Sequence, residues 1–556
     1  MNVDDTDYDS PSLSSSRSPS PTPSFDDYAV PGNKAMDLYD TMLPKWRAAP
    51  RRWLIPLIRK ESQILAKMQE KIRTPWLDAY FVYTSSLGTH TFFMTTLPAC
   101  FWFGYTDLAR GLLSALSIGV YCSSVVKDLF CSPRPFSPPV TRLTMGSHHL
   151  EYGFPSTHST NSISIALLLF AYIYDLTYPP LSSTPTTLSP TTFIILSVIL
   201  AIYAFSIVFG RLYTAMHSFT DCFCGVFLGT AIWWVSSSWN GIPIRISSLN
   251  ILSSSPTTTI HLGRGLGMET HLWNWVSNGH WEVPVLLIPL CLFLVHQHPQ
   301  PVDDCPCFED AIAFASVFFG ALVGDWVKRH SALKEVMERV AIMPGSGWIF
   351  DVGRGWIQVE RGWLDYLTWW SAATLKMTIG IMVIFTWRLL AKSALHLILP
   401  PLFRLCARAF RLPNRRFYTP ATEYKSVPSE FAMTKQGVGV LHPIPSLIDL
   451  PGSVGFDVEV DMDIGERKGK RVRIVNGGVF NGNEKIGKVV NVGGNGGGLH
   501  VTFDHDEEED NKGQGVKHYD ADVLTKVIVY AGIAFISIEV LPASFGLLGL
   551  GVKSWM

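Results

Sequence analysis

The chain has 556 residues, 47% of them hydrophobic and only 16% charged, with 18 Trp and 32 Phe. Soluble domains carry roughly 25% charged residues, so this composition points to a membrane protein. Lys plus Arg number 45 against 46 Asp plus Glu, which leaves no global basic field and excludes nucleic acid as a partner.

Residues 1–45 are polar and rich in Ser and Pro, the composition of a disordered tail, with Ser-Pro steps open to phosphorylation. No apolar core follows a basic start, so no cleaved signal peptide is expected and the first apolar span directs insertion. In residues 46–76, Arg47, Arg51, Arg52, Arg59, Lys60, Lys67, Lys71 and Arg73 alternate with Trp46, Trp53, Leu54, Ile58 and Leu65. This reads as a basic amphipathic interfacial helix, with a plain solvated helix as the alternative.

Nine apolar runs follow, at about 80–104, 108–126, 158–176, 192–210, 219–238, 281–296, 311–327, 366–391 and 527–550. A crossing needs ~20 residues, so the sixth and seventh are short enough to be tilted or re-entrant. The expected fold is an all-α polytopic membrane bundle of about 8–9 spans. Its core would lie at 77–240, additional helices at 241–400, an extramembrane and partly disordered module at 401–526, and a last span at 527–556. Within that module, Gly482 to Val489 (GNEKIGKV) nearly matches a phosphate loop but has Val489 where Ser or Thr should hold magnesium, and reads as chance. Cys222-Phe-Cys224 and Cys305-Pro-Cys307 are too closely spaced for a zinc knuckle and read as buried or unpaired thiols.

Three polar clusters interrupt the apolar background. They are KDLFCSPRP with Lys127 and Arg134, then EYGFPSTHS with Ser156, Thr157 and His158, then GRLYTAMHSFTD with Arg211, His217 and Asp221. The gaps that hold the second and third clusters are separated by two crossings, so all three share one membrane boundary and can meet. Three cations suit a tetrahedral phosphate: guanidinium forks bind its oxygens in pairs and Lys supplies a point charge. Ser156 and Thr157 at a helix start would offer hydroxyls and N–H groups to the same anion. His217 and Asp221, four residues apart, would share one helix face, the carboxylate fixing the imidazole tautomer so that the other nitrogen attacks phosphorus. His158 would protonate the leaving alkoxide and later activate water. Taken singly, Lys127 or Arg134 is a snorkelling anchor, and His217 with Asp221 a structural hydrogen bond; the joint spacing favours a phosphate site.

Lys127-x6-Arg134-Pro135, Pro155-Ser-Thr-His158 and Arg211-x5-His217-x3-Asp221 together resemble the signature of the phosphatidic acid phosphatase type 2 superfamily, whose helical core is shared with haloperoxidases. EYGFPSTHS and GRLYTAMHSFTD are most similar to its branch of fungal dihydrosphingosine and sphingosine 1-phosphate phosphatases. The resemblance covers mainly residues 76–240 and implies a metal-independent hydrolase without cofactor, of the endoplasmic reticulum, acting on a sphingoid base phosphate among membrane lipids. Thr157 stands where the superfamily more often has Gly, and Gly210 where it usually has Ser, so one hydroxyl contact is lost.

The runner-up substrates are phosphatidate, lysophosphatidate or an isoprenoid diphosphate. A non-catalytic lipid-phosphate binder or transporter is the alternative of another class. His90 reads as a residue that satisfies a neighbouring helix, or that lines the site. His148, His149, Glu151 and Tyr152 read by default as an exposed loop, with Glu151 and Tyr152 also placed to touch a head-group amine. Asp325 reads as a capping or helix-pairing residue, and HSALKEVMERV as a solvated or interfacial helix. The positive-inside tendency would set the site in the cytosol, whereas the resemblance implies the lumen. Oligomeric state is not assigned.

Overall fold

The computed structural model describes residues 30–88, 90–143, 150–179, 187–247, 257–330, 342–351, 355–406 and 519–552. The motif GNEKIGKV, His148, His149, most of HSALKEVMERV, the bulk of the 401–526 module and residues 1–29 lie outside these. Among the described residues, seven helices are long and apolar enough to cross a membrane. With the shorter apolar helices Phe92–Trp102 and Glu282–Gln297 they account for the nine expected runs.

The first run is not one helix. Helix α3 (Pro75–Thr84) gives way to a 3-10 turn over Ser85–Gly88 before α4 (His90–Trp102) begins. The hydroxyls of Thr84, Ser85 and Ser86 donate back to the carbonyls of Tyr80, Val82 and Tyr83, the back-bonding by which Ser and Thr compete with helix continuation. The side chain of His90 lies outside what is described.

Helices α5 (Thr106–Phe130), α6 (Thr157–Thr177), α7 (Pro190–Tyr213) and α8 (Phe219–Ser236) form one half of the bundle. Helix α6 is its centre and packs on α5, α7 and α8. The approach of α8 to α6 is set by Gly225 and Gly229, a small-xxx-small pair that lets two membrane helices bring backbones together. A Cβ at Gly225 would lie 2.6 Å from the Ser156 carbonyl oxygen, and one at Gly229 would lie 2.3 Å from that of Thr160.

The chain continues through a hairpin of β1 (Ile242–Ser247) and β2 (Thr257–Leu262), paired antiparallel with Ile242 opposite Leu262. The second half of the bundle holds α9 (Met268–Asn278), α10 (Glu282–Gln297) and α11 (Cys307–His330). After a second hairpin, β3 (Trp348–Asp351) with β4 (Gly355–Gln358), come α12 (Trp363–Cys406), α13 (Tyr519–Phe535) and, past a π-helical turn, α14 (Leu541–Leu547). Helix α11 lies between α5 and α13. Asp325 on it is the helix-pairing residue expected: it accepts from Arg110 on α5 at 2.9 Å and from Ser277 on α9 at 3.0 Å. Cys305 and Cys307 form a disulfide, so neither is an unpaired thiol.

One expectation for the N-terminal region is corrected and another gains a structural side. The segment read as a tail to residue 45 is packed from residue 30 onward: α1 (Met36–Met42) buries Tyr39, whose hydroxyl donates to Asp303 at 2.6 Å. The basic helix α2 (Lys45–Ile72) is not charged only on its surface. Arg47 and Arg51 are buried because they meet the carbonyls that end α5: Arg47 donates to Asp128 O at 2.6 Å and Leu129 O at 2.8 Å, and Arg51 to Cys131 O at 3.1 Å. Further along α2, Glu61 accepts from Thr220 in the first turn of α8, and Gln69 donates to Tyr213 O at the end of α7. Helix α2 therefore lies across one end of the bundle and ties α5, α8 and α7 together, while Trp46 and Trp53 stay exposed.

Replacing Gly229 with Ala should cost about 1–3 kcal/mol, the usual penalty of overpacking, because the Cβ meets fixed backbone. Phe227, exposed on the same helix, should change to Ala with an effect within about 0.5 kcal/mol. Thermal unfolding of the two variants in detergent is the measurement.

Candidate active site

The three clusters converge at the end of the α5–α8 half that α2 covers. Lys127 sits in the last turn of α5 and Arg134 in the loop beyond it, Ser156 and His158 flank the start of α6, Arg211 is in the last turn of α7, and His217 precedes α8. Lys127, Arg134, Arg211, His217 and Asp221 are all buried. His158 is half-buried.

Two loops make this possible by lying backbone on backbone. Gly153 N donates to Ser132 O at 2.9 Å, and a Cβ on Gly153 would lie 2.6 Å from Pro133 O, so only glycine fits there. Ser156 N donates to Asp221 O at 3.1 Å, which joins the second cluster to the third. At the third, the turn after α7 folds back so that Arg211 O accepts from Met216 N and His217 N, with Ala215 at φ +51°. Gly210, where a serine is usual, faces Phe81 of α3: a Cβ there would sit 3.2 Å from the ring.

The expected pairing of His217 with Asp221 on one helix face is corrected. Ser218 caps α8, so His217 lies before the helix and Asp221 is its third residue. Asp221 completes a capping box: its Oδ2 accepts from Ser218 N at 2.8 Å while Ser218 Oγ accepts from Asp221 N at 3.2 Å. Its Oδ2 is 3.8 Å from His217 Nδ1, whereas Gly153 O is only 2.8 Å from that nitrogen. A carbonyl can only accept, so Nδ1 carries the proton and Nε2 keeps its lone pair. A second contact agrees, since Arg134 Nη1, a donor, lies 3.2 Å from Nε2. The tautomer is thus set by a main-chain carbonyl of the second cluster, with Asp221 behind it holding the turn.

The hydroxyls of Ser156 and Thr157 have partners within the protein. Ser156 Oγ is the N-cap of α6, accepting from Ser159 N at 3.3 Å and from Ser159 Oγ at 3.0 Å. Thr157 Oγ1 lies 3.0 Å from Ser123 Oγ on α5. Ser156 thus closes the first turn of α6 and Thr157 ties α6 to α5, and the start of α6 brings its positive end to the site.

The three cations gather at this end of the bundle. Arg134 is fixed by two carbonyls, with Nε donating to Glu151 O at 2.8 Å and Nη1 to Met216 O at 2.7 Å. Arg211 Nε has no hydrogen-bond partner among the described residues although its side chain is buried. Lys127 Nζ is 2.5 Å from Glu151 Oε2, which is also 3.7 Å from Arg134 Nη2. Glu151 and Tyr152 are accordingly no exposed loop; Tyr152 is fully buried and its hydroxyl donates to Asp303 at 3.0 Å. Gly153, Glu151 as a partner of the cations, and Asp303 were missed by sequence reasoning; only the glycine, next to a proline turn, carried a signal.

Burial first, then the charges of Arg134, Lys127 and Arg211, push the His217 pKa well below the ordinary 6.5. Burial also lowers that of Arg134, against the opposing pull of Glu151. A buried imidazole with Nδ1 on a carbonyl and Arg134 at its Nε2, with Lys127 and Arg211 buried in the same region, defines a class of site: a histidine set among cations, suited to an anion, at one end of a membrane bundle.

Residues 108–242 match the model of the PAP2 superfamily. The chain is 31% identical to dihydrosphingosine 1-phosphate phosphatase C823.11 of Schizosaccharomyces pombe over 417 residues, covering 74% of this chain and 84% of that one. It is also 31% identical to dihydrosphingosine 1-phosphate phosphatase YSR3 of Saccharomyces cerevisiae, covering 68% and 78%. Human sphingosine-1-phosphate phosphatase 2 is 31% identical over 46% of this chain and 53% of its own. The chain belongs to the PAP2 superfamily and is a multi-pass membrane protein.

The lowered pKa has a measurable sign. In protein labelled with 15N-histidine, the His217 signals, identified by their loss in His217→Ala, should remain those of a neutral Nδ1–H ring at pH 6, where a free imidazole is mostly protonated. Arg134→Gln should move the titration upward by removing a cation.

Proposed function

We propose that the protein is a lipid phosphatase that hydrolyses sphingoid long-chain-base 1-phosphates, namely dihydrosphingosine, phytosphingosine or sphingosine 1-phosphate, to the free base and inorganic phosphate in sphingolipid metabolism. The observation that carries the reading is the contact set of His217, Nδ1 donating to a carbonyl and Nε2 facing the Arg134 guanidinium. The names of the fungal relatives supply the lipid class.

In this mechanism the phosphate oxygens take the donors of Lys127, Arg134 and Arg211, and phosphorus comes to rest before Nε2. The Nε2 lone pair forms the N–P bond as the ester P–O bond breaks, and His158 gives its proton to the departing alkoxide. His158, now neutral, takes a proton from water, whose oxygen attacks phosphorus and releases His217 and phosphate. Gly153 O stabilises the imidazolium character that develops on the ring, and Asp221 holds the turn that carries it. A non-catalytic lipid binder would need the cations but not a histidine fixed in one tautomer. Phosphatidate, lysophosphatidate and isoprenoid diphosphates remain the competing substrates, since the seat itself reads only phosphate.

The family resemblance supports an endoplasmic reticulum membrane location with the site on the lumenal side. The path of α2 along the site end, with Trp46 and Trp53 outward, supports an interfacial position for that helix.

In EDTA, detergent-solubilised wild type should release phosphate from dihydrosphingosine 1-phosphate in preference to phosphatidate. His217→Ala should lose roughly 10⁴-fold or more in kcat, and His158→Ala about 10²- to 10⁴-fold. Loss of wild-type activity in EDTA, or full activity of His217→Ala, would overturn the mechanism.

A further inference from the structure

The Glu151 carboxylate lies on the same cations that a substrate phosphate needs. Its Oε2 is 2.5 Å from Lys127 Nζ and 3.7 Å from Arg134 Nη2. Two anions cannot share those donors without a cost, unless a further cation arrives with the second.

The backbone of Glu151 has little freedom to resolve the conflict by moving away. Arg134 Nε holds its carbonyl at 2.8 Å, the next residue is fixed through Tyr152 and Asp303, and Gly153 N is bound to Ser132 O. What remains is rotation of the side chain, which is only partly exposed. A carboxylate swinging off Lys127 on a fixed backbone stays beside the phosphate seat, and the group it can meet there is a cation attached close to the phosphoester.

We infer that Glu151 is the specificity-determining residue of the site, pairing with the ammonium that a sphingoid base carries two carbons from its phosphate oxygen. This deepens the proposed function and rests on it. Phosphatidate and lysophosphatidate bring the same phosphate without a cation, so with them Glu151 is an uncompensated anion beside another. The residue read from sequence only as a loop side chain near a head group becomes the element that tells two phospholipid classes apart, a role the three phosphate-binding cations cannot perform.

The test compares dihydrosphingosine 1-phosphate with its N-acetyl derivative, which keeps the phosphate and chain but loses the positive charge, for wild type, Glu151→Gln and Glu151→Asp. Wild type should favour the free amine, and Glu151→Gln should shrink the ratio of kcat/KM between the two substrates by about tenfold or more, the scale of a lost charge-assisted pair. Glu151→Asp, which keeps the charge, should retain a larger part of the ratio. Equal losses on both substrates in Glu151→Gln would mean that Glu151 only positions Lys127 and Arg134, and would overturn the inference while leaving the phosphatase reading intact. Failure of wild type to cleave any sphingoid base phosphate would sink both. If Glu151→Gln does not fold, wild type decides alone: cleavage of the N-acetyl substrate as efficiently as the free amine overturns the inference.

Discussion

Everything at the site depends on keeping Lys127, Arg134 and Arg211 charged at the edge of a membrane bundle while almost wholly removed from water. Desolvating one such ion costs several kcal/mol, and clustering three of like sign adds repulsion. The fold offsets this with acceptors in place of solvent. Arg134 alone is held by two main-chain carbonyls, and Glu151 supplies a counter-charge to two of the three. The carbonyls belong to the second and third clusters, so Arg134 and the loops that bear the histidines are one hydrogen-bonded unit. A change in any of the three loops is felt by all of them.

Helix α2 extends the same logic outward. Membrane helices end with carbonyls that no longer have intrahelical partners, and at this end the site needs those ends rigid. Arg47 and Arg51 cap α5 close to Lys127, Glu61 takes two donors of Thr220 at the start of α8, and Gln69 binds the carbonyl at the end of α7. One helix thus fixes the three that carry the first and third clusters. The cations that look like membrane anchors in sequence are partly structural, and the geometry of the site is held by a segment outside the three clusters.

The spans and the three clusters were legible because charge and imidazole stand out against an apolar background, and because helical length is fixed by bilayer thickness. What failed was local geometry at the boundaries. His217 and Asp221 fit an i, i+4 helical pair, yet Ser218 followed by Asp221 is also a capping box, and that signature places the helix start between them. Ser156 was read as a cap that also offers its hydroxyl to an anion, and it is bonded to Ser159 as that cap. Gly225-x3-Gly229 was readable as a packing motif. Arg47, Arg51 and the role of Glu151 were not, because their partners are carbonyls and cations distant in sequence, and periodicity reports only which face a residue lies on.

The position of α7 explains how such a site meets a lipid. This helix is the most apolar of the spans and the least buried of the four in its half of the bundle, with Ile194, Ile195, Val198, Ile199, Ile202 and Phe205 exposed along it. Its last turn carries Arg211, which is buried. The seat is therefore separated from the hydrocarbon by about one helix diameter, ~10 Å. On the proposed function, the exposed apolar face of α7 is where a lipid tail would lie, on the same helix whose last turn carries Arg211. Burial of the cations and an apolar flank for a membrane substrate are thus supplied by one helix.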